Sequence, residues 1–423
     1  MIDDLTPGKR QAKSVPVNSI DTTAIKTKTP DTDSFLTPEQ MAALDDIDTI
    51  PTTPENAPTP VKPTAGKTTL RQKIARSWKT NRREWLISAG IIIIGGVIVA
   101  TVLTRLEDKP VVSAVKPAKV AKVAPKPTTV ASTLSGLQVA PELNAKPVTG
   151  VMIENSQAAR PQSGLSQAGV MFEAIAEGGI TRFLALFQDT APDDVGPIRS
   201  ARPYYLQWAM GFDAGYAHVG GSPEALANIK AWGVKDLDQF ANGGSYHRIS
   251  SREAPHNVYT SIAALNQLEA AKGYTTSTYT GFVRKADAPS KTPNAKAIDM
   301  DLSGPLYNVH YDYNAANNSY LRSEGGGPHM DATTNVQLSP KVVVGLIMPY
   351  GIASDGSHSV YNSIGSGAAY VFQDGVVTIG QWSKAANNAQ FTFTDAAGKP
   401  LKFNPGQTWL TALGLASEVS YTP

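Results

Sequence analysis

The sequence predicts an α+β architecture in a membrane-anchored ectodomain: an α+β domain followed by a mostly antiparallel, β-rich one. Three observations predict it. Residues 85–103 are 19 uncharged, mostly apolar residues, WLISAGIIIIGGVIVATVL. A stretch of Lys-Pro and Ala-Lys-Val units follows. From about Lys146 short apolar runs alternate first with helical segments and then almost only with turns. There is no Cys among the 423 residues, which excludes disulfides, thiolate metal sites, Cys nucleophiles and a lipidated Cys anchor.

Residues 1–66 are rich in Thr, Pro and Asp without a sustained apolar period and read as a disordered cytoplasmic tail. AGKTT at Ala65–Thr69 has the end of a phosphate-binding loop, but Val61 stands where that loop needs Gly and no strand precedes it. Residues 67–84 form a basic juxtamembrane segment. At 1.5 Å per residue, the run at 85–103 roughly spans the hydrocarbon core of a bilayer as one helix. The flanking basic residues are denser upstream, at Arg76, Lys79, Arg82 and Arg83, which puts the N-terminus in the cytoplasm and the rest outside. Residues 104–144 are a semi-extended linker.

Net charge is +2, from 38 Lys and Arg against 36 Asp and Glu, but the charge is segregated. Residues 67–126 carry 13 basic and 3 acidic side chains, whereas residues 127–423 carry 19 and 23. The mildly acidic outer part argues against nucleic acid as a partner.

The α+β domain is expected over 145–285. Pro147–Ile153, Met171–Ala176, Phe183–Gln188 and Tyr216–Val219 read as strands, and Pro203–Met210 as a helix. Ser222-Pro223-Glu224 opens a second helix, with Ser as N-cap, Pro at the first position and an acid in the first turn; Gly233 stops it. A third helix spans about Ser261–Ala271. Over 298–420, Val309, Tyr311 and Tyr313 alternate with polar residues, Lys341–Met348 is a buried strand, and Ala369–Gln373 with Val376–Trp382 is a hairpin on Asp374-Gly375. Phe391–Thr394, Leu401–Phe403 and Thr408–Leu413 complete the strands, and GGGPHMD at Gly325–Asp331 reads as a flexible rim loop.

Six of the eight Arg beyond residue 127 fall between Arg160 and Arg252, in Gly- and Pro-punctuated turns. Arg captures phosphate or carboxylate with a planar fork, so Arg160, Arg182, Arg199, Arg202 and Arg252, with His256, are the candidate residues for an anionic ligand. Glu173, Glu177 and His218, near strand ends, are the catalytic candidates, able in principle to move protons if their environments separate their pKa values. Each has a plainer use, as a solvated strand end, a turn hydrogen bond or a separate ion pair. The His spacing gives no metal site, and no nucleotide or dinucleotide fingerprint is present, so no cofactor is expected.

The strings VMIENSQAARPQSGLSQAGVMFEAIAEGGITRFLALFQ, VGPIRSARPY, AHVGGSPEAL and REAPHN, followed by QWSK, FTFTDAAGKPL and PGQTWL, resemble the bacterial YerB-like family over about residues 145–415. The resemblance implies envelope proteins with an α+β N-terminal and a smaller β-rich C-terminal domain, both of unknown function, and it implies no reaction. The family's namesake looks like a lipoprotein held by a lipidated Cys; this chain departs from it in having the apolar segment and no Cys. Two readings follow. One is an extracytoplasmic protein that binds an anionic envelope polymer, precursor or envelope protein. The other is an envelope transferase or hydrolase acting on such a polymer or on a lipid-linked precursor. If the arginines line one cleft with Glu177 or His218, the enzyme gains; if they scatter into structural ion pairs, a protein-interaction surface gains.

Overall fold

The computed structural model describes residues 128–423; the expected tail, the basic segment, the spanning helix at 85–103 and most of the linker lie outside them. Among the described residues no helix is long and apolar enough to cross a membrane.

Folded structure begins inside the expected linker. Val130–Ala131 pairs with Gln138–Val139, and Leu134 between them is fully buried. In VASTLSGLQVA the apolar residues keep neither a helical nor a strand period, so the burial of Leu134 has no pattern in the sequence.

The first strands are β1 (Thr149–Glu154), β2 (Val170–Glu177) and β3 (Ile180–Phe187). Gly178 and Gly179, both at positive φ, join β2 to β3 in a two-residue turn. Helix α1 (Pro203–Met210) follows with Pro at its start, then β4 (Gly215–Ala217). Helix α2 (Pro223–Trp232) is capped by Ser222, whose Oγ accepts from the Ala225 N–H at 3.3 Å, and it ends on Gly233 at φ 67°. Strand β5 (Lys235–Asp236) and helix α3 (Ile262–Ala271), capped by Ser261, complete this half.

The second half supplies β6 (Ala297–Met300), β7 (Val309–Asn314), β8 (Ser319–Glu324), β9 (Gly327–Pro328) and β10 (Val342–Ile347). It continues with β11 (Tyr350–Ile352), β12 (Ser359–Tyr361), β13 (Gly365–Gln373), β14 (Val376–Lys384), β15 (Thr392–Asp395), β16 (Thr408–Leu413) and β17 (Val419–Thr422). The β13–β14 turn carries Asp374 at φ 60° and Gly375 at φ 74°, as the Asp-Gly pair predicts. Leu401–Phe403, expected as a strand, makes only isolated bridges from its flank and its last residue.

The fold class is α+β, as the sequence predicts. The two halves share one sheet of ten strands in the order β15-β14-β13-β10-β16-β2-β3-β1-β4-β5. Strand β16 runs parallel to both β10 and β2, with Trp409 opposite Met171 and Thr411 opposite Glu173. Strand pairing is non-local, so the boundary at residues 285–298 separates segments of sequence and not separate sheets.

Side chains alternate across this sheet. Phe172, Leu184 and Leu186 face one side and pack on Trp208 of α1 and Ile229 of α2. Val151, Ile153, Met171, Phe183 and Trp409 face the other and pack on Leu265 of α3. On that second face lies a five-stranded sheet, β9-β8-β7-β6-β17, through Ile298, Tyr311 and Tyr320 against Val343 and Phe372.

Candidate functional site

Polar side chains collect where β1 and β2 end and β3 begins, in two groups on opposite faces of the sheet. The first group is on the α1 face. Arg182 lies opposite Glu154 in the β1–β3 register and shares its face with Leu184. Beside β1, the segment Pro197–Ala201 adds an irregular edge. Glu154 N–H donates to Pro197 O at 2.9 Å, Arg199 N–H to Met152 O at 3.0 Å, and Val219 N–H to Arg199 O at 3.1 Å. That lacing brings Arg199, Ser200 and Arg202 to Glu177.

Arg182 binds Glu177 Oε1 and donates to Ser200 O and Oγ at 2.9 and 2.7 Å. Arg202 reaches Glu177 Oε2 at 2.6 Å and Ser200 Oγ at 3.1 Å. Arg199 Nε is 3.6 Å from Glu154 Oε2, whose Oε1 accepts from Ser156 at 2.6 Å and meets His256 Nδ1 at 2.8 Å. Burial pushes both carboxyls up, but their partners override it. Arg182 and Arg202 hold Glu177 down at about 2, and the His256 hydrogen bond with Arg199 keeps Glu154 below the ordinary range. Both are therefore carboxylates at neutral pH.

The second group is a largely buried seam on the other face. Arg322 grips Glu173 with Nη2 at 2.9 Å from each oxygen, and Trp409 Nε1 donates to Glu173 Oε2 at 3.0 Å. The Arg322 guanidinium lies 4.5 Å above the Trp409 ring. Arg322 also meets Glu324 at 3.3 Å and His329, whose Nε2 faces Gln162 Oε1 at 2.9 Å. Asn155 joins Gln162, Arg160 and Glu324, and Arg160 stacks 5.1 Å over Tyr307. Burial, then the nearby Glu324, pushes Glu173 upward against the pull of Arg322. Burial, with Arg322 and Arg160 alongside, pushes His329 well below its ordinary value, so it stays neutral. Toward solvent the seam opens on a cavity of about 230 Å³ lined by Arg160, Pro161, Glu324, Pro328, His329 and Met330.

The structure thus sorts the residues singled out from the sequence. Arg182, Arg199, Arg202 and Glu177 converge, and His256 joins them through Glu154. Glu173 is fully buried on the opposite face with Arg322. Arg160 belongs to the seam. Arg252 closes a turn through Ala158 O at 2.8 Å and Pro161 O at 2.6 Å. His218 is tied at both ring nitrogens, to Gly220 O at 2.6 Å and Asp236 at 3.0 Å, beside a cavity of about 370 Å³ lined in part by Leu226, Ile229 and Val234. The expected rim loop Gly325–Asp331 instead buries His329 and Asp331; the Asp331 carboxylate accepts from the Ser166 N–H at 2.7 Å. Arg322 and Glu324 had one signal in the sequence, charged residues two apart on the buried face of YLRSE. Among the described residues no group of three or more His, Asp or Glu is placed to hold a metal ion.

These features define a class: a two-part α+β protein with one large mixed sheet, a buried polar seam between its halves and an arginine-rich strand end. Residues 134–275 match the family described as "Protein of unknown function (DUF3048) N-terminal domain", and residues 298–410 match its C-terminal domain. The protein described as "Putative lipoprotein YerB" from Bacillus subtilis (strain 168) is 31% identical over 281 residues, 66% of this chain and 84% of that protein. The crystal structure of YerB from Bacillus subtilis superposes with a TM-score of 0.64 at 29% identity, covering 70% of this chain and all of that one. The chain belongs to this YerB-like family of two DUF3048 domains.

Proposed function

We propose that this chain is a single-pass envelope protein whose YerB-like region binds an anionic envelope component through Arg182, Arg199 and Arg202. The observation that carries the reading is the convergence of the Arg182 and Arg202 guanidinium groups on Ser200 and Glu177, with Arg199 at the neighbouring Glu154, at one strand end. Guanidinium forks backed by a fixed hydroxyl and by backbone are the chemistry that holds phosphate or carboxylate. The relative is described as a lipoprotein; in a chain without Cys, residues 85–103 would serve as the anchor, with the N-terminus inside.

One observation favours the enzymatic alternative, a transferase or hydrolase of the envelope. His256 lies 2.8 Å from the buried Glu154 carboxylate and close to Arg199, the arrangement of an imidazole oriented by an acid beside an anion site. Glu177, held at about 2 by two arginines, is a poor base. The test is the full chain in phosphatidylcholine nanodiscs, incubated with isolated envelope fractions. Retention of an anionic fraction that weakens with salt and is lost in Arg199→Gln supports binding. Indifference to both salt and the substitution would sink it. A new product seen by mass spectrometry and lost in His256→Gln would establish the enzyme instead.

A further inference from the structure

Eleven large apolar side chains are exposed among the described residues, and four of them, Leu226, Phe240, Tyr350 and Ile352, sit beside turns that bond to the arginine segment or to Glu177. Scattered exposed aliphatics are ordinary; four at the margins of one site are not. On one margin the arginine segment is laced to the Gly220-Gly221 turn, with Ala201 N–H donating to Gly220 O at 3.0 Å and Ser222 N–H to Ala201 O at 3.2 Å. Phe240 lies over Gly220, where a Cβ would come within 3.2 Å of its ring, and Leu226 lies over Gly221 at the same distance. Phe240 is 66% exposed and Leu226 43%.

On the other margin Glu177, held by Arg182 and Arg202, bridges to His358 in the loop of the β11–β12 hairpin. The hairpin is seated by Tyr361, whose hydroxyl accepts from Ile175 N–H at 3.2 Å and whose ring meets that of Tyr204 edge-on with centroids 4.9 Å apart. On the same face of the hairpin as Tyr361, Tyr350 and Ile352 are exposed, Ile352 at 51%, whereas Val360 points to the other face. The arginine group is therefore bordered through its own hydrogen-bond network by two apolar lips built on different elements.

We propose that the anion held by Arg182, Arg199 and Arg202 is the phosphate headgroup of a lipid, and that the start of its hydrocarbon chain lies on these lips. This rests on the anion-binding reading above. A water-soluble polymer has no use for Phe240 and Ile352. A phosphate carried on an apolar chain uses both features, the charge by the guanidinium forks and the chain by burial of surface that water otherwise covers.

The test uses the full chain in phosphatidylcholine nanodiscs, titrated calorimetrically with methyl phosphate and with decyl phosphate below its micellar concentration, empty nanodiscs serving as blank. Decyl phosphate is expected to bind at least about tenfold more tightly, since burying two or three methylenes is enough for that gap. The double substitution Phe240→Ser, Ile352→Ser removes two exposed side chains, so the fold is expected to survive. It should close the gap while leaving methyl phosphate affinity unchanged. Equal binding of the two phosphates by the unaltered chain overturns the lipid assignment and leaves the anion reading standing. So does a phosphoserine peptide that binds as tightly as decyl phosphate. A gap that survives the double substitution overturns the role of the lips. If neither phosphate binds, the anion reading falls as well.

Discussion

Glu173 and Glu177 stand four residues apart on one strand, both paired with arginine, and their surroundings make opposite use of the pairing. Glu173 meets Arg322 in a seam where both side chains are 0% exposed, Trp409 closes one side and His329 is neutral. Two arginines, Arg160 and Arg322, there face two carboxylates, Glu173 and Glu324. At the strand end Arg182 and Arg202 share Glu177 while Arg199 meets Glu154, and Arg182 and Arg202 also donate to the Ser200 hydroxyl and to backbone carbonyls. The Glu177 side chain keeps 12% exposure, and Arg182 and Arg202 keep 2% each. A balanced, sealed pair joins the two halves of the chain. A partly exposed group at a strand end, laced to two turns, has the placement of a site. The presence of an Arg–Glu pair therefore says little until its charge count and cover are known.

The comparison breaks most visibly at the seam. Arg322→Met leaves Glu173 buried without its cation and Glu324 with Arg160 alone, and should destabilise the protein by about 3–5 kcal/mol, read by denaturant unfolding. Adding Glu173→Gln should recover much of that loss, and no recovery would mean that Arg322 acts by packing on Trp409. Arg199→Gln, at the strand end, should cost clearly less stability while losing the anion.

Glu177 gives the next effect, and its sign follows from its pKa. Folding lowers it from 4.5 to about 2, so its contribution is complete above about pH 5 and is lost as pH falls toward 2. Glu177→Gln should therefore cost on the order of 3 kcal/mol at pH 7. The variant and the unaltered protein should converge near pH 2. A difference that does not depend on pH would show that the charge of Glu177 is not what Arg182 and Arg202 require.

A carboxyl with no arginine sharpens the contrast. Glu269 on α3 is fully buried, and Thr149 Oγ1 donates to its Oε2 at 3.0 Å. Burial raises it to about 7, against small opposing help from Thr149 and Lys235. A raised carboxyl contributes below its unfolded value of about 4.5, and that contribution is lost as pH rises toward 7 and above. Glu269→Gln should remove a loss of about 2–3 kcal/mol between pH 5 and pH 8, measured as a flatter stability profile. An unchanged slope would place the titrating group elsewhere.

How much of this was legible in the sequence differs between the fold and the site. Helix α1, with its Pro start, α2, with Ser222 and Gly233, and β16 read directly, because caps and apolar runs are local signals. The placement of β16 between β10 and β2 was not legible, since strand order is set by contacts more than 60 residues apart along the chain. In the site, the clustering of arginines in turns pointed to Arg182, Arg199 and Arg202 but could not separate them from Arg160 and Arg252. Convergence depends on the β1–β3 register and on the lacing of Pro197–Ala201 to β1. Neither has a local signature. Glu173 and Glu177 looked equivalent because the bulge between Ile175 and Glu177, which disturbs the simple alternation of faces, leaves no mark in AIAEGG.

Arg252 supplies the smallest effect and the cleanest separation of the two uses of arginine. Its guanidinium donates to Ala158 O and Pro161 O from an exposed position, so it closes a turn beside the His256 loop without joining the group at Ser200. Arg252→Ala should cost about 1 kcal/mol, the value of a solvent-accessible charged hydrogen bond, and leave methyl phosphate affinity within error of the unaltered protein. Arg199→Gln is expected to do the reverse in the same two assays. If Arg252→Ala weakened the anion as much as Arg199→Gln does, the binding surface would extend across the His256 loop. The distinction between structural and ligand-binding arginines would then have to be drawn at the seam alone.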